Sequence, residues 1–323
     1  MFSRNKNMQI YVDRNDDIWV YFNDIRMKGV AKSFIFCLDK ESLRIKKRVR
    51  MYGTKGFPLH ISQDMDDNLF LISQHPFRMF KVDEMGQRTL IKNRRGMDSR
   101  SLAVSESGDH IFVHKSLSSY SITVFTEKGE IGYTINLPAI SPSCMCTRGN
   151  RLYLADNNRQ LIHIVDCQGK WIDSMDVLFK NRTLLDYIDL NEDGEWRYRN
   201  GTIIRTTFHF DFRKMTDIYK ERDDHIVSMC CFRDDTLAVG MGDGNILLLK
   251  TDGSFIKKIE SPIHEAFPGS IVSDAKGNIY ACYFDYYSED VFCYVNRGLY
   301  RFSSDGTGTD MIFKDILSLF RLK

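Results

Sequence analysis

The chain is 323 residues long, 43% apolar and 27% charged, with 45 Lys and Arg against 43 Asp and Glu. That balance excludes a disordered polyelectrolyte and a coat held on nucleic acid by a global positive field, and the length calls for two domains or one repeat array. No apolar run reaches the roughly 18 residues of a membrane span, and the opening MFSRNKNMQIYVDRNDD lacks a secretory apolar stretch.

Taken in chain order, the segments repeat one cadence of short apolar strand, polar turn, apolar strand. MQIYV and RNDDIWVYF open the first unit, and LRIKKRVRM at 43–51 is expected as its fourth, outermost strand. Alternation there puts Leu43, Ile45, Val49 and Met51 on one face and Arg44, Lys46, Arg48 and Arg50 on the other, a charged edge that discourages pairing with another sheet. LHIS and DMDDNLFLIS follow, then SLAV, SESGDHIFVH, ITVFTEKGE and IGYTINL. The fourth unit is SCMC, TRGNRLYLAD, LIHIVDCQGK and WIDSM. The fifth, LLDYIDLNEDGEWRYRNGTIIRTTFHFDFRKMTDIYK, is the least regular. IVSMCCF, RDDTLAVGM, NILLLKTDGS and FIKKI form the sixth, and GSIVS, DAKGNIYACY, LYRFSSDGT and DMIFK the seventh.

Four short strands per unit with Asp/Asn-Gly turns describe an antiparallel meander, and the spacing of about 40–50 residues is that of a propeller blade. Helical stretches long enough to cross over a parallel sheet are missing. The expectation is an all-β propeller of four-stranded blades spanning 1–323 as a single domain. Seven blades are favoured, six are the alternative if the fifth unit is an insertion, and 315–323 is a tail or closing segment.

Chemical motifs are sparse. VGMGDGN at 239–245 has the glycines of a dinucleotide loop, but a strand follows where a helix N-terminus is needed, so it reads as a hairpin turn. The eight histidines show no HExxH spacing, and no serine sits in a Gly-x-Ser-x-Gly elbow. His209 and Asp211 share a strand face and are the nearest thing to paired metal ligands, so the metal question stays open and no cofactor is expected. Asp16, Asp17, Asp66, Asp67, Asp234 and Asp235 recur at one point of the repeat, as a turn requirement would make them. The eight cysteines lie mostly in apolar alternation and behave as small hydrophobes. Cys230 and Cys231 point to opposite faces, and reduced thiols in the cytoplasm are expected.

GNRLYLADNNRQLIHIVDCQGK and FPGSIVSDAKGNIYACYFD resemble NHL repeats over about half of the chain. The resemblance implies six blades and a module that binds protein or RNA through its loop faces. It leaves room for the minority of such propellers that are metal-dependent hydrolases or lyases.

Loops joining second to third strands and successive blades should share one rim. In the early units they carry Arg26, Lys28, Arg94, Arg95 and Arg159; in the late units they carry Asp243, Glu260, Asp285 and Glu289. Such a divided field suits a protein partner of complementary polarity, with Tyr286 and Tyr287 as aromatic anchors. The functional expectation is a non-catalytic cytoplasmic scaffold that binds a protein or peptide on that rim, without a membrane. RNA binding by the basic arc is the first alternative, and a central-channel metal hydrolase or lyase the second.

Overall fold

Successive residues Ile18, Trp19, Val20 and Tyr21 are all apolar, so a strand made of them must bury both faces, which stacked sheets allow. The computed structural model describes residues 8–13, 15–25, 31–51, 58–63, 69–73, 77–83, 88–94, 101–105, 107–108, 110–114, 121–137, 140, 142–157, 159–177, 188–190, 196–198, 225–232, 235–264, 266–285 and 296–313.

Blade one is β1 (Met8–Val12), β2 (Ile18–Ile25), β3 (Ala31–Leu38) and β4 (Ile45–Met51). Blade two is β5 (Pro58–Gln63), β6 (Leu69–Ser73), β7 (Phe77–Val82) and β8 (Arg88–Arg94). Blade three is β9 (Ser101–Val104), β10 (His110–His114), β11 (Ser121–Thr126) and β12 (Ile131–Asn136). Blade four is β13 (Met145–Arg148), β14 (Arg151–Asp156), β15 (Leu161–Asp166) and β16 (Trp171–Asp176). A hairpin follows, β17 (Ile188–Leu190) with β18 (Trp196–Tyr198). Blade five is β19 (Ile226–Phe232), β20 (Thr236–Met241), β21 (Ile246–Lys250) and β22 (Phe255–Ile259). Blade six is β23 (Ala266–Ser273), β24 (Ile279–Asp285), β25 (Asn296–Phe302) and β26 (Thr309–Phe313).

Each blade is a meander of antiparallel neighbours. The first strands β1, β5, β9, β13, β19 and β23 touch in that order and β23 returns to β1, so six blades close a ring around these inner strands. The favoured count of seven is thereby corrected to six. The reason is contact: β13 meets β19 directly, so no blade fits between them. Both ends of segment 177–225 are also tied to one turn. The Val177 amide donates to the Gln160 carbonyl at 3.2 Å, while Asn157 accepts from the Ile226 amide at 2.8 Å and donates to the Ile226 carbonyl at 3.0 Å. The fifth unit is therefore an excursion from the ring, contributing the β17–β18 hairpin among the described residues.

One apolar cluster fills each joint. At the joint of blades one and two Trp19, Tyr21 and Ile35 meet Leu69, Leu71 and Phe80. On the opposite face of β2, Ile18 and Val20 join Phe36 against Tyr280, Cys282 and Leu299 of blade six. Among the described residues every blade is contiguous in sequence and no exchanged strand seals this last joint; the expected tail or closing segment 315–323 lies outside them. Apolar packing seals the joint, helped by the Ile10 amide on Ser270 Oγ (3.4 Å) and the Ala275 amide on Asp16 Oδ1 (2.9 Å).

The turns between third and fourth strands explain the recurring Asp-x-x-Gly cadence. Asp166 Oδ1 accepts the amides of Gln168 (3.0 Å) and Lys170 (2.7 Å), and Gly169 then takes φ 90°. A Cβ on Gly169 would stand 2.6 Å from Ile135 Cγ2 on the preceding blade, so glycine serves both the left-handed turn and the close approach. Gly129, Gly253 and Gly306 seat their turns on the preceding blade in the same way. Beyond the turn, all six pairings of third with fourth strand carry a register shift. A bulge on each outermost strand disturbs the pairing template that an exposed edge presents. In β4 the shift falls at Lys46 and divides the row that alternation placed on one face. Ile45 packs toward blade six and Val49 toward blade two, while Lys46 reaches Asp17 at 2.6 Å.

Candidate functional site

The sequence-derived rim residues Arg26, Lys28, Arg95, Tyr286 and Tyr287, and the pair His209 and Asp211, lie outside the described residues. Arg94 ends β8, its backbone opposite Phe77. Arg159 is described, and the structure corrects its expected role. Its side chain is buried, 4% exposed, because the guanidinium turns inward onto Asp156 Oδ2 instead of outward to a partner.

That ion pair belongs to a polar cluster built by one hairpin. β14 ends at Asp156, the 157–160 turn carries Arg159, and β15 returns with His163 opposite Leu154, on the same face as Asp156. β16 then places Ser174 opposite His163. His163 Nε2 lies 3.3 Å from Asp156 Oδ2, His163 Nδ1 lies 3.1 Å from Ser174 Oγ, and the Trp171 ring is tilted over the imidazole at 4.8 Å. Burial pushes the His163 imidazole below its ordinary value; the Asp156 carboxylate opposes that shift and the Arg159 charge adds to it. Burial also works to raise Asp156, but the His163 hydrogen bond and the Arg159 charge prevail and hold it below the usual carboxylate range. The resulting state is an ionised Asp156 beside Arg159, with a neutral imidazole donating from Nε2 and accepting the Ser174 hydroxyl at Nδ1.

Serine, imidazole and carboxylate in one hydrogen-bonded row are the groups of a nucleophile with its base. Here, however, His163 is 0% exposed, closed in at the flank between blades three and four where Leu154 and Val165 meet Ile135. A base must reach the proton it removes. The cluster ties three strands and a turn together. Sequence reasoning missed it because Arg159 read as a rim charge. The available signal was His163 at an inward position of LIHIVD, seven residues after Asp156.

Other sequence readings fall into place. VGMGDGN is the β20–β21 hairpin turn, with the Met241 amide on the Asn245 carbonyl at 2.9 Å. The recurring carboxylates that are described make contacts outside their own turns: Asp17 receives Lys46 of β4, and Asp16 receives the Ala275 amide of blade six. The deeper turn residues are Asp13 and Asp274. Asp13 accepts the Asn15 and Asp17 amides and the Trp19 indole N–H (2.8 Å), and Asp274 accepts the Asn278 amide and the Tyr280 hydroxyl (3.1 Å). Among the described residues no three His, Cys, Asp or Glu side chains gather to hold a metal, and no helix is long and apolar enough to cross a membrane.

The two ring faces differ in their connections. On one, first-to-second and third-to-fourth links are tight, as at 149–150, 233–235 and 251–254, and the longest span only 39–44 and 303–308. The second-to-third and blade-to-blade links leave and return on the other face, and they include the longest in sequence, 137–144, 286–295 and 177–225. Variable connections on a rigid scaffold are where proteins place recognition. On this face Asp243 and Glu260 of blade five are exposed.

No protein-family model and no curated protein matches the chain. Among solved structures it is similar to a catalytically inactive virginiamycin B lyase from Staphylococcus aureus with quinupristin, at 13% identity over 96% of this chain and 85% of that one, TM-score 0.55. A streptogramin B lyase gives 14% identity over 96% and 83%, TM-score 0.55. A protein of unknown function from Bacteroides caccae gives 10% over 86% and 89%, TM-score 0.52. At these identities the likeness is one of fold, a β-propeller.

Proposed function

We propose that residues 1–323 form a single propeller domain acting as a non-catalytic cytoplasmic scaffold, which docks a protein or peptide on the face carrying the long connections. The observation behind this reading is the asymmetry of connections: one face is closed by tight turns, while 286–295 and 177–225 leave and return on the other. The NHL-like cadence of blades four and six agrees with a module that recognises partners through loops.

The contact set on that face is Arg26, Lys28, Arg94, Arg95, Tyr286 and Tyr287, with Arg159 withdrawn because it is spent on Asp156. Asp243 and Glu260 supply the opposite sign, and complementary fields of this kind fix orientation and speed encounter. The test is affinity purification with mass spectrometry from wild-type protein and from a Lys28→Glu/Arg94→Glu/Arg95→Glu variant of unchanged melting temperature. Specific partners retained by the wild type and lost by the variant are expected. Equal capture by both rejects the reading. Steeply salt-dependent binding of single-stranded RNA, lost in the same variant, replaces it with the RNA alternative.

A further inference from the structure

Two thiols face each other across the joint of blades four and five. Cys146 lies on β13 and Cys231 on β19, inner strands of neighbouring blades, and their sulfurs are 3.5 Å apart without being bonded. Both are half-buried against the joint cluster that includes Ile226 and Leu237. Cys230 is turned to the other face of β19, toward the joint with blade six, so it does not compete for this position. Cys144 lies two residues before Cys146 on the same joint, which makes it the competitor to test.

We propose that Cys146 and Cys231 form a reversible disulfide that staples blade four to blade five at the root of segment 177–225. A bond of about 2.05 Å requires the sulfurs to approach by about 1.5 Å, and the inner strands that carry them already touch. The oxidant is a low-molecular-weight disulfide. One thiolate attacks a sulfur of the small disulfide and expels a small thiolate. The second thiolate then displaces the remaining small thiol from the mixed disulfide. Two protein thiols are oxidised, one small disulfide is reduced to two thiols, and the two protons pass to the departing thiolates. Burial pushes the Cys146 thiol well above its ordinary value, which keeps its thiolate scarce and slows its attack on a small disulfide.

The place matters because the same joint holds the excursion. Asn157 clasps both backbone groups of Ile226, and Ser143 Oγ donates to the Ile226 carbonyl at 3.3 Å. A covalent link between β13 and β19 would fix those anchors against each other while leaving the segment in place.

The experiment exposes purified protein to oxidised glutathione and maps tryptic peptides without reduction. Residues 129–148 and 223–233 are expected to appear as one linked species that dithiothreitol separates. The link should persist in Cys144→Ser/Cys230→Ser and vanish in Cys146→Ala and in Cys231→Ala. The oxidised wild type should melt roughly 5 °C higher than the reduced form. The proposal is overturned by a link running through Cys144 or Cys230. It is also overturned by protein that stays fully reduced while the same glutathione treatment in denaturant oxidises it.

Discussion

Replacing Asp156 by Ala is expected to destabilise the protein by about 3–5 kcal/mol, the loss typical of breaking a buried ion pair from one side. The carboxylate is wholly buried and receives both the Arg159 guanidinium and His163 Nε2. Removing it leaves a buried positive charge without that counterion and a neutral imidazole without its acceptor, in a flank that water does not reach. Asp156→Asn keeps the shape and one acceptor but loses the charge, so a smaller loss is expected from it. Chemical denaturation of the three proteins at neutral pH measures the series.

The same cluster sets a pH dependence. His163 and Asp156 both titrate lower in the folded protein than their ordinary values of 6.5 and 3.8. The unfolded chain therefore binds more protons than the folded one in each window, and stability rises with pH there. The cluster's contribution is complete above pH 6.5. It falls as pH drops toward the depressed His163 value, and falls again below 3.8 through Asp156. A His163→Gln variant should lose the upper step and show a smaller lower one, because His163 helps to hold Asp156 down.

The second large effect is expected at the closing joint. Phe36→Ala should cost about 3–5 kcal/mol, as large-to-small changes in packed cores do. Phe36 is 1% exposed and packs with Ile18, Val20 and Leu38 against Tyr280, Cys282 and Leu299. A void there weakens the one joint whose two blades come from opposite ends of the repeat series. Leu90→Ala on an outermost strand is the control: Leu90 is 50% exposed, and a change within about 0.5 kcal/mol is expected. Equal midpoints for Phe36→Ala and Leu90→Ala would mean that the joint is not packed as described.

Much of the architecture was legible because alternation and turns are local. Trp19 and Val20 announce two buried faces, VGMGDGN announces a hairpin, and Cys230 and Cys231 announce opposite sides, all from neighbours in sequence. Blade number was harder to read, because LLDYIDL alternates as well as a blade strand does. Only the direct meeting of β13 with β19 shows that it has no place in the ring. The bulge at Lys46 was invisible for a related reason: a register shift depends on the facing strand, here Cys37 and Leu38. Arg159 misled because a charge in a loop looks exposed until its partner three residues back is seen to be buried with it. The proposed recognition face was readable only as composition, since residue types in loops state a charge but not a shape.

That six blades close without segment 177–225 is tested most directly by removing it. A six-residue Gly/Ser linker reaches about 20 Å when extended, enough to join Val177 to Ile226 where both are held by the 157–160 turn, and shortening a surface connection changes closure entropy only slowly. Protein with residues 179–224 replaced by that linker should unfold in one transition within a few degrees of the wild type. Loss of the folded signal in the shortened chain, with the linker long enough to span the gap, would mean that the segment is part of the ring.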